Sequence, residues 1–298
     1  MSFMERRTAV DWIFDTLLYI IMTLILIFMI YPFIYVLVYS ISDISKIKFP
    51  LLLWPVGINI DSYKVVMGNK NNLNAALMSV LRCVAGPFSM LVVSGMGGYA
   101  ISRKDLVFGK AIRMYLLFSM YVSAGLIPGY MLIKNLGLMN NFLVYVLPGM
   151  ASLFNMILIK AYITSIPHEL EESVLIDGGT EINAYFRVIL PLTLPVNAFI
   201  VLMGIIGAWN SYFDVSLYNG NTKELHTLSY TLYVNLTAAQ NFSLEKIKQM
   251  VQEGQAIRIN NQSLNMALTV ITMVPVMCVY PLLQKYFVSG LTIGAVKM

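Results

Sequence analysis

Charge is what this sequence has least of. Of its 298 residues, 12% are Asp, Glu, Lys or Arg and 58% are hydrophobic, where a soluble domain carries roughly 25% charge. Histidine and cysteine are nearly absent, at two each. With only His168 and His226, and no ligand-spaced cluster, neither a metal site nor histidine-based hydrolysis has support. Cys83 and Cys278 both fall in apolar runs, where they read as packing side chains and say nothing about compartment. The phosphate-cradling G-x-x-x-x-G-K-[ST] loop is missing too: Gly109-Lys110 is followed by Ala111 and has no upstream glycine. The chain therefore needs no cofactor of its own, and any ATP hydrolysis must come from a partner. There is no linker-like tract, low-complexity stretch or repeat, so 1–298 reads as a single integral-membrane domain, with no nucleic-acid partner.

What is present is a set of long uncharged runs. They occupy 16–42, 83–102, 114–133, 135–159, 188–213 and 259–284, each 20 to 27 residues long. A helix needs about 20 apolar residues to cross the hydrocarbon core, and there it must satisfy its backbone internally. The expected fold is all-α with six transmembrane helices, at about 16–42, 75–102, 114–133, 140–163, 192–213 and 262–284. The first run is twice the length of a signal-peptide core and lacks a small-residue cleavage site, so it reads as a retained helix. A further stretch, 225–244, carries Ser229, Asn235, Gln240 and Asn241, and reads as a helix or loop outside the membrane. Six spans put both termini on one side. Lys and Arg divide ten and ten between the sides, but the short 103–113 loop alone holds four, which favours cytoplasmic termini.

Between the fourth and fifth runs lies an acidic hairpin, HELEESVLIDGGTEINAYFRVILPLTLP, over 168–195. Glu169, Glu171, Glu172, Asp177 and Glu181 are five of the chain's 15 acids. Pro167 suits a first helical turn, and the acids that follow suit the positive end of the helix dipole. Gly178 and Gly179 permit a helix stop and sharp turn. Thr180 can cap a second helix that has Arg187 in its last turn, and Pro191 marks entry to the fifth span. The prediction is helix, tight turn, helix. Such a loop either solvates itself or grips something basic outside the membrane.

Glu172-Ser-Val-Leu-Ile-Asp177-Gly178, with Phe186 and Ile189-Leu190-Pro191, resembles the EAA signature of ABC importer permeases. It is most similar to the carbohydrate-uptake, maltose-permease-like family of the type I fold. YAISR (99–103), GLIPGYMLIKNLGLMNN (125–141), WNSYFD (209–214) and YPLLQKYFVSGLTIGAVK (280–297) resemble further blocks of that family in the expected order. The last is similar to the C-terminal signature of a subgroup serving complex plant or host oligosaccharides. Ser173 and Val174 stand where that family usually has alanines, and Gly179 replaces another.

The resemblance implies that 164–191 is a cytoplasmic coupling loop docking on an ATPase through Glu169, Glu172, Asp177, Gly178 and Gly179. It implies a bacterial inner-membrane subunit that forms a heterodimer with a homologous permease. An ATPase dimer would bind its cytoplasmic loops, and an extracytoplasmic solute-binding protein would deliver the sugar, meeting loop 214–261. Candidate pathway residues are aromatics and amides: Tyr121, Ser123, Asn155, Trp209, Asn210 and Tyr212. Each has a bland alternative in interface belting or helix-to-helix hydrogen bonding. Arg82, at the edge of the second run, reads as snorkelling to the interface. Lacking a charge cluster, the set favours a neutral polyol.

In the fifth loop, Leu225, Leu228, Leu232 and Leu236 repeat about once per helical turn, an amphipathic face for a partner, for the pore mouth, or merely for an ordinary folded loop. A secondary carrier would keep Asp, Glu or His within its spans, and the six runs contain none. A membrane scaffold recruiting a basic protein, or an importer of a non-sugar solute, remain open alternatives.

Overall fold

The computed structural model describes residues 9–47, 51–237 and 260–295, the last segment by backbone alone beyond Val279. Among these residues there is no β-strand, only an isolated bridge between Ser42 and Ile58. The chain divides into two compact units: 1–68 with 235–271, and 69–234 with 272–298.

The first unit contains α1 (Ala9–Ser40) and α2 (Asp61–Gly68). Most side chains of α1 are exposed and apolar. Such a surface suits hydrocarbon rather than water. At its end, Val38, Tyr39 and Leu52 form a small core, and Tyr39 donates to Gln262 Oε1 at 3.0 Å.

The second unit is built on α3 (Lys70–Ser102), a 33-residue helix capped by Asn69, whose side chain accepts from the Asn71 N–H. Around it stand α4 (Gly109–Tyr121), α5 (Leu126–Asn135) and α6 (Leu153–Ile163). Next come α7 (Glu169–Ile176), α8 (Glu181–Leu192), α9 (Leu194–Asn210) and α10 (Phe213–Tyr218). α11 (Leu228–Thr237) and α12 (Asn261–Ala295) complete the described chain. α6 and α9 pack on α3 around a core of Tyr99, Ile159, Ile163, Tyr185, Ile189, Val196 and Ile200. Gly98 allows the approach: a Cβ there would stand 2.9 Å from Ile159 Cβ and from the Met156 carbonyl.

α1, α3 and the described part of α12 are each long and apolar enough to cross a membrane, and up to six spans result if each bent pair counts as one. The bends are the difference from expectation. The run at 114–133 is not one helix: α4 and α5 meet at 112°. Gly125, at φ +86° and ψ −179°, takes a backbone reserved for glycine there. The run at 140–163 starts as two 3₁₀ turns, Phe142–Tyr145 and Leu147–Gly149, before α6 departs at 45°. The fifth run turns by 79° at Thr193, between Pro191 and Pro195, which each remove a backbone donor. Hydropathy measures the length of a run, and local backbone chemistry decides whether it is straight.

The stretch predicted to lie outside the membrane forms α11 up to Thr237. The rest of it, together with 238–259 of loop 214–261, lies outside the described residues, as do Arg6, Arg7 and Lys297. Side chains of the 280–297 block are likewise outside them.

Candidate functional site

The acidic hairpin forms as helix, turn, helix. α7 is capped at His168, so Pro167 stands two positions before the first helical residue, Glu169, rather than in the first turn; the His168 carbonyl accepts from the Glu171 and Glu172 N–H groups at 3.0 and 3.1 Å. Gly178 makes the turn at φ +82°, the left-handed conformation that ends helices. Gly179 is required for a different reason. A Cβ at Gly179 would stand 2.7 Å from both Cγ1 and the carbonyl oxygen of Val174. Two departures from the family's alanines, Val174 and Gly179, are thus one packed contact. Thr180 caps α8, its hydroxyl accepting from the Asn183 N–H at 3.3 Å. α8 loosens to a π turn over Tyr185–Ile189, which includes Arg187.

The acids of the hairpin split into two sets. Glu169, Glu172 and Asp177 are exposed, together with Ile176 at 78%. Spacing of three and four residues puts Glu169, Glu172 and Ile176 on one face of α7. Glu171 points the other way and is buried. It accepts from the Tyr99 hydroxyl and from the Arg103 guanidinium. Arg103 also reaches Glu181 on the second arm at 3.3 Å and Asp105 at 3.2 Å. One arginine at the end of α3 therefore binds both arms. Burial pulls the Arg103 pKa down, but Glu171 and Asp105 outweigh it and the net shift is upward. The clamp's cation is permanent. Asp105 is held below the usual carboxylate range by a hydrogen bond to its own backbone and by Arg103.

Tyr185 extends the contact, with its ring 5.3 Å from that of Tyr99. Its hydroxyl lies where a Cβ on Gly95 would sit, at 2.5 Å. A cavity of about 220 Å³ opens between hairpin and helix end, lined by Ser102, Arg103, Lys104, Ile163, His168 and Glu171 among others.

Toward the other end of α3 stands a second ion pair. Arg82, 5% exposed, pairs with Asp214, donates to the Ser211 carbonyl at 3.4 Å, and lies 4.5 Å from the Tyr145 ring centroid. Ser211 Oγ donates to Asp214 at 2.6 Å. Arg82 does not snorkel, contrary to the sequence reading. Its partners lie 63 to 132 positions away in sequence, so its compensation is invisible locally. Its Nε has no hydrogen-bond partner. Arg82 and Arg103 are 21 positions apart on α3, about 32 Å at the helical rise, close to the ~30 Å of a hydrocarbon core.

No family model matches the chain. Individual proteins do. The polygalacturonan/rhamnogalacturonan transport system permease protein YtcP of Bacillus subtilis is 30% identical over 288 residues, covering 96% of this chain and 98% of that one. Protein LplC of the same organism is 31% identical over 271 residues, 89% of this chain and 88% of the relative. A chain from the crystal structure of a bacterial ABC transporter that imports the acidic polysaccharide alginate superimposes with TM-score 0.88 at 25% identity, covering 95% and 99%. The chain belongs to the carbohydrate-uptake ABC importer permeases. It is accordingly a membrane protein.

The permease scatters its candidate pathway residues. Tyr121 ends α4 and Ser123 sits in the α4–α5 break, both exposed. Asn155 turns toward α3, its amide 3.2 Å from Met90 Sδ. Trp209, 8% exposed, donates to the Thr272 carbonyl at 2.9 Å, while its own carbonyl accepts from Ser229. Its indole is thus occupied within the chain and offers little face to a ligand. Asn210 is exposed beside it, and Tyr212 stacks on Tyr233 with centroids 4.5 Å apart. Leu225 and Leu228 of the expected amphipathic face pack inward, and the Leu228 N–H donates to Ser79 Oγ at 2.8 Å, leaving Leu236 exposed. Sequence reasoning missed the roles of Glu171, Tyr99 and Arg103. The available signal was Gly95, Tyr99 and Arg103 at intervals of four, one face of a helix.

Proposed function

We propose that this permease is one of two homologous subunits forming the pathway of an ATP-driven oligosaccharide importer in a bacterial cytoplasmic membrane. The chain makes six crossings, with α9 as the fifth and α8 as its cytoplasmic lead-in, and both termini and the 164–191 hairpin lie on the cytoplasmic side. ATP is bound and hydrolysed by a separate ATPase dimer, which docks on the hairpin. An extracytoplasmic solute-binding protein delivers substrate at the opposite face, where Arg82, Asp214, Asn210 and Tyr212 lie.

The observation that carries this reading is the outward face of α7. Glu169, Glu172 and Asp177 flank an exposed Ile176, and Leu170 and Ile182 of the same short hairpin are exposed with it; several exposed apolar side chains rimmed by polar ones suit a docking surface. Acidic residues around an apolar tip suit a cleft with a basic rim. The turn through Gly178 and Gly179 fixes the direction in which that face points. Along the pathway, Tyr121, Ser123, Asn155, Asn210 and Tyr212 supply stacking faces and hydrogen bonds for sugar, and the buried Trp209 holds Asn210 and Tyr212 in place.

YtcP is named for polygalacturonan and rhamnogalacturonan transport and the structural neighbour for import of alginate, which favours an oligosaccharide over a peptide or polyamine. Arg82 is already neutralised by Asp214, so recognition of an acidic sugar falls to the binding protein or the partner permease. The reading is tested by purifying the tagged subunit from native membranes and identifying what stays bound. A second permease and an ATPase with its own phosphate loop are expected, the ATPase being lost on combined Glu172→Ala and Gly178→Val substitution. Recovery of the subunit alone, or with a basic protein lacking a nucleotide site, overturns it in favour of a scaffold.

A further inference from the structure

The hairpin is joined covalently to α6 on one side and α9 on the other. It has no short chain connection to α3: Arg103 and Glu171 are 68 residues apart, and Tyr99 and Glu171 are 72 apart. Any displacement of the hairpin that is to move α3 must pass through non-covalent contacts. These contacts sit on one face of α3. Gly95 admits the Tyr185 hydroxyl, Tyr99 stacks on Tyr185 and donates to Glu171, and Arg103 holds Glu171 and Glu181. The side chains of Arg103 and Glu171 are 13% and 9% exposed. In that setting an ion pair is screened far less than on a surface, and its separation leaves the buried Glu171 carboxylate with the Tyr99 hydroxyl and Arg103 with the more exposed Glu181 and Asp105.

We propose that Arg103 is the positioning residue that locks the hairpin to α3, so that displacement imposed on the hairpin moves the second span as one body with it. This rests on the coupling role proposed above for the hairpin. Arg103 acts through Glu171 and Glu181 and touches neither sugar nor nucleotide. Arginine is suited to the task because its planar fork reaches carboxylates on both arms at once, whereas a lysine presents a single point charge. The two hairpin faces then have separate duties: Glu169, Glu172 and Ile176 receive the ATPase, and Glu171 passes the displacement inward. α3 is a continuous helix of 33 residues, about 50 Å long, so what reaches Arg103 is delivered across the full thickness of the membrane.

The test uses the assembled importer in proteoliposomes, comparing sugar uptake per ATP hydrolysed for Arg103→Ala, Arg103→Lys, Glu171→Gln and the Arg103→Ala/Glu171→Gln double variant. The proposal expects each complex to keep its ATPase subunits and to hydrolyse ATP. Uptake per ATP should fall about tenfold in Arg103→Ala and in Glu171→Gln, no further in the double variant, and less in Arg103→Lys. Glu171→Gln keeps side-chain volume and an acceptor for Tyr99, so it assembles even if Arg103→Ala does not. Unchanged uptake per ATP in an assembled Glu171→Gln complex overturns the lock while leaving ATPase docking intact. Loss of the ATPase from that variant also overturns it, by showing that the clamp shapes the docking face instead. Absence of an ATPase from the wild-type complex removes the coupling role itself.

Discussion

The Arg82–Asp214 pair allows a prediction in which two partners are unequal. Arg82 has 6% of its side chain exposed and Asp214 27%. Asp214→Ala strands a buried guanidinium with only the Ser211 carbonyl and the Tyr145 ring, and its Nε already lacks a partner. Breaking a buried pair costs about 3–5 kcal/mol. Because Asp214 reaches solvent, the lower figure applies, about 3 kcal/mol. Arg82→Met leaves a carboxylate that keeps its bond from Ser211 and meets water, and it forfeits a cation–π contact of about 1 kcal/mol; the total is about 1–2 kcal/mol.

The double variant should lie within about 1 kcal/mol of Arg82→Met, because the stranded charge is gone. At about 2 °C per kcal/mol for a chain of this size, Asp214→Ala lowers the apparent melting temperature of the purified importer by about 6 °C. Arg82→Met lowers it by about 3 °C. Tryptophan fluorescence during heating reads both. An Arg82→Met shift larger than the Asp214→Ala shift, or an Asp214→Ala shift of less than about 2 °C, corresponding to about 1 kcal/mol, refutes the reasoning.

Other expectations follow from close contacts and the turn. Gly98→Ala forces a Cβ into Ile159 and the Met156 carbonyl; it should cost about 1–3 kcal/mol of thermal stability, and wild-type stability would show that α6 is not held so tightly. Gly179→Ala meets both Val174 Cγ1 and the Val174 carbonyl. Adding Val174→Ala relieves only the side-chain half, so complex stability should recover in part; full recovery would mean that the backbone clash is not real. Gly178→Val places a β-branched residue at φ +82°, a strain of about 1–3 kcal/mol, and should abolish ATP-driven uptake while the subunit remains in the membrane. Normal uptake in that variant would remove the turn from the coupling path.

Much of this was legible in sequence because the membrane imposes a simple code. Uncharged runs of about 20 residues or more betray helices by length alone, and the hairpin's Thr180 cap and Gly178 turn are local signals that formed as read. Three things were not legible, each for a physical reason. The bend at Gly125 and the 3₁₀ start of the fourth run occur inside runs whose hydropathy is uninterrupted, whereas the bend at Thr193 follows the boundary that Pro191 marks. The fate of neighbouring glutamates is decided by helix phase: Glu171 and Glu172 are identical in type and adjacent, yet one is buried against Arg103 and the other exposed. Trp209 reads as a stacking surface from its type, but its N–H is taken by Thr272, 63 residues away. Long-range partners are what a single sequence withholds.

The central claim, that the outward face of α7 receives an ATPase, is tested most directly by placing a photo-crosslinking amino acid at Ile176, the most exposed apolar residue of that helix, in membranes containing the native importer. The account predicts a crosslink to a nucleotide-binding ATPase subunit, and a yield that changes between nucleotide-free and ATP-trapped states. A crosslink to lipid alone, or to a protein without a nucleotide site, would contradict it.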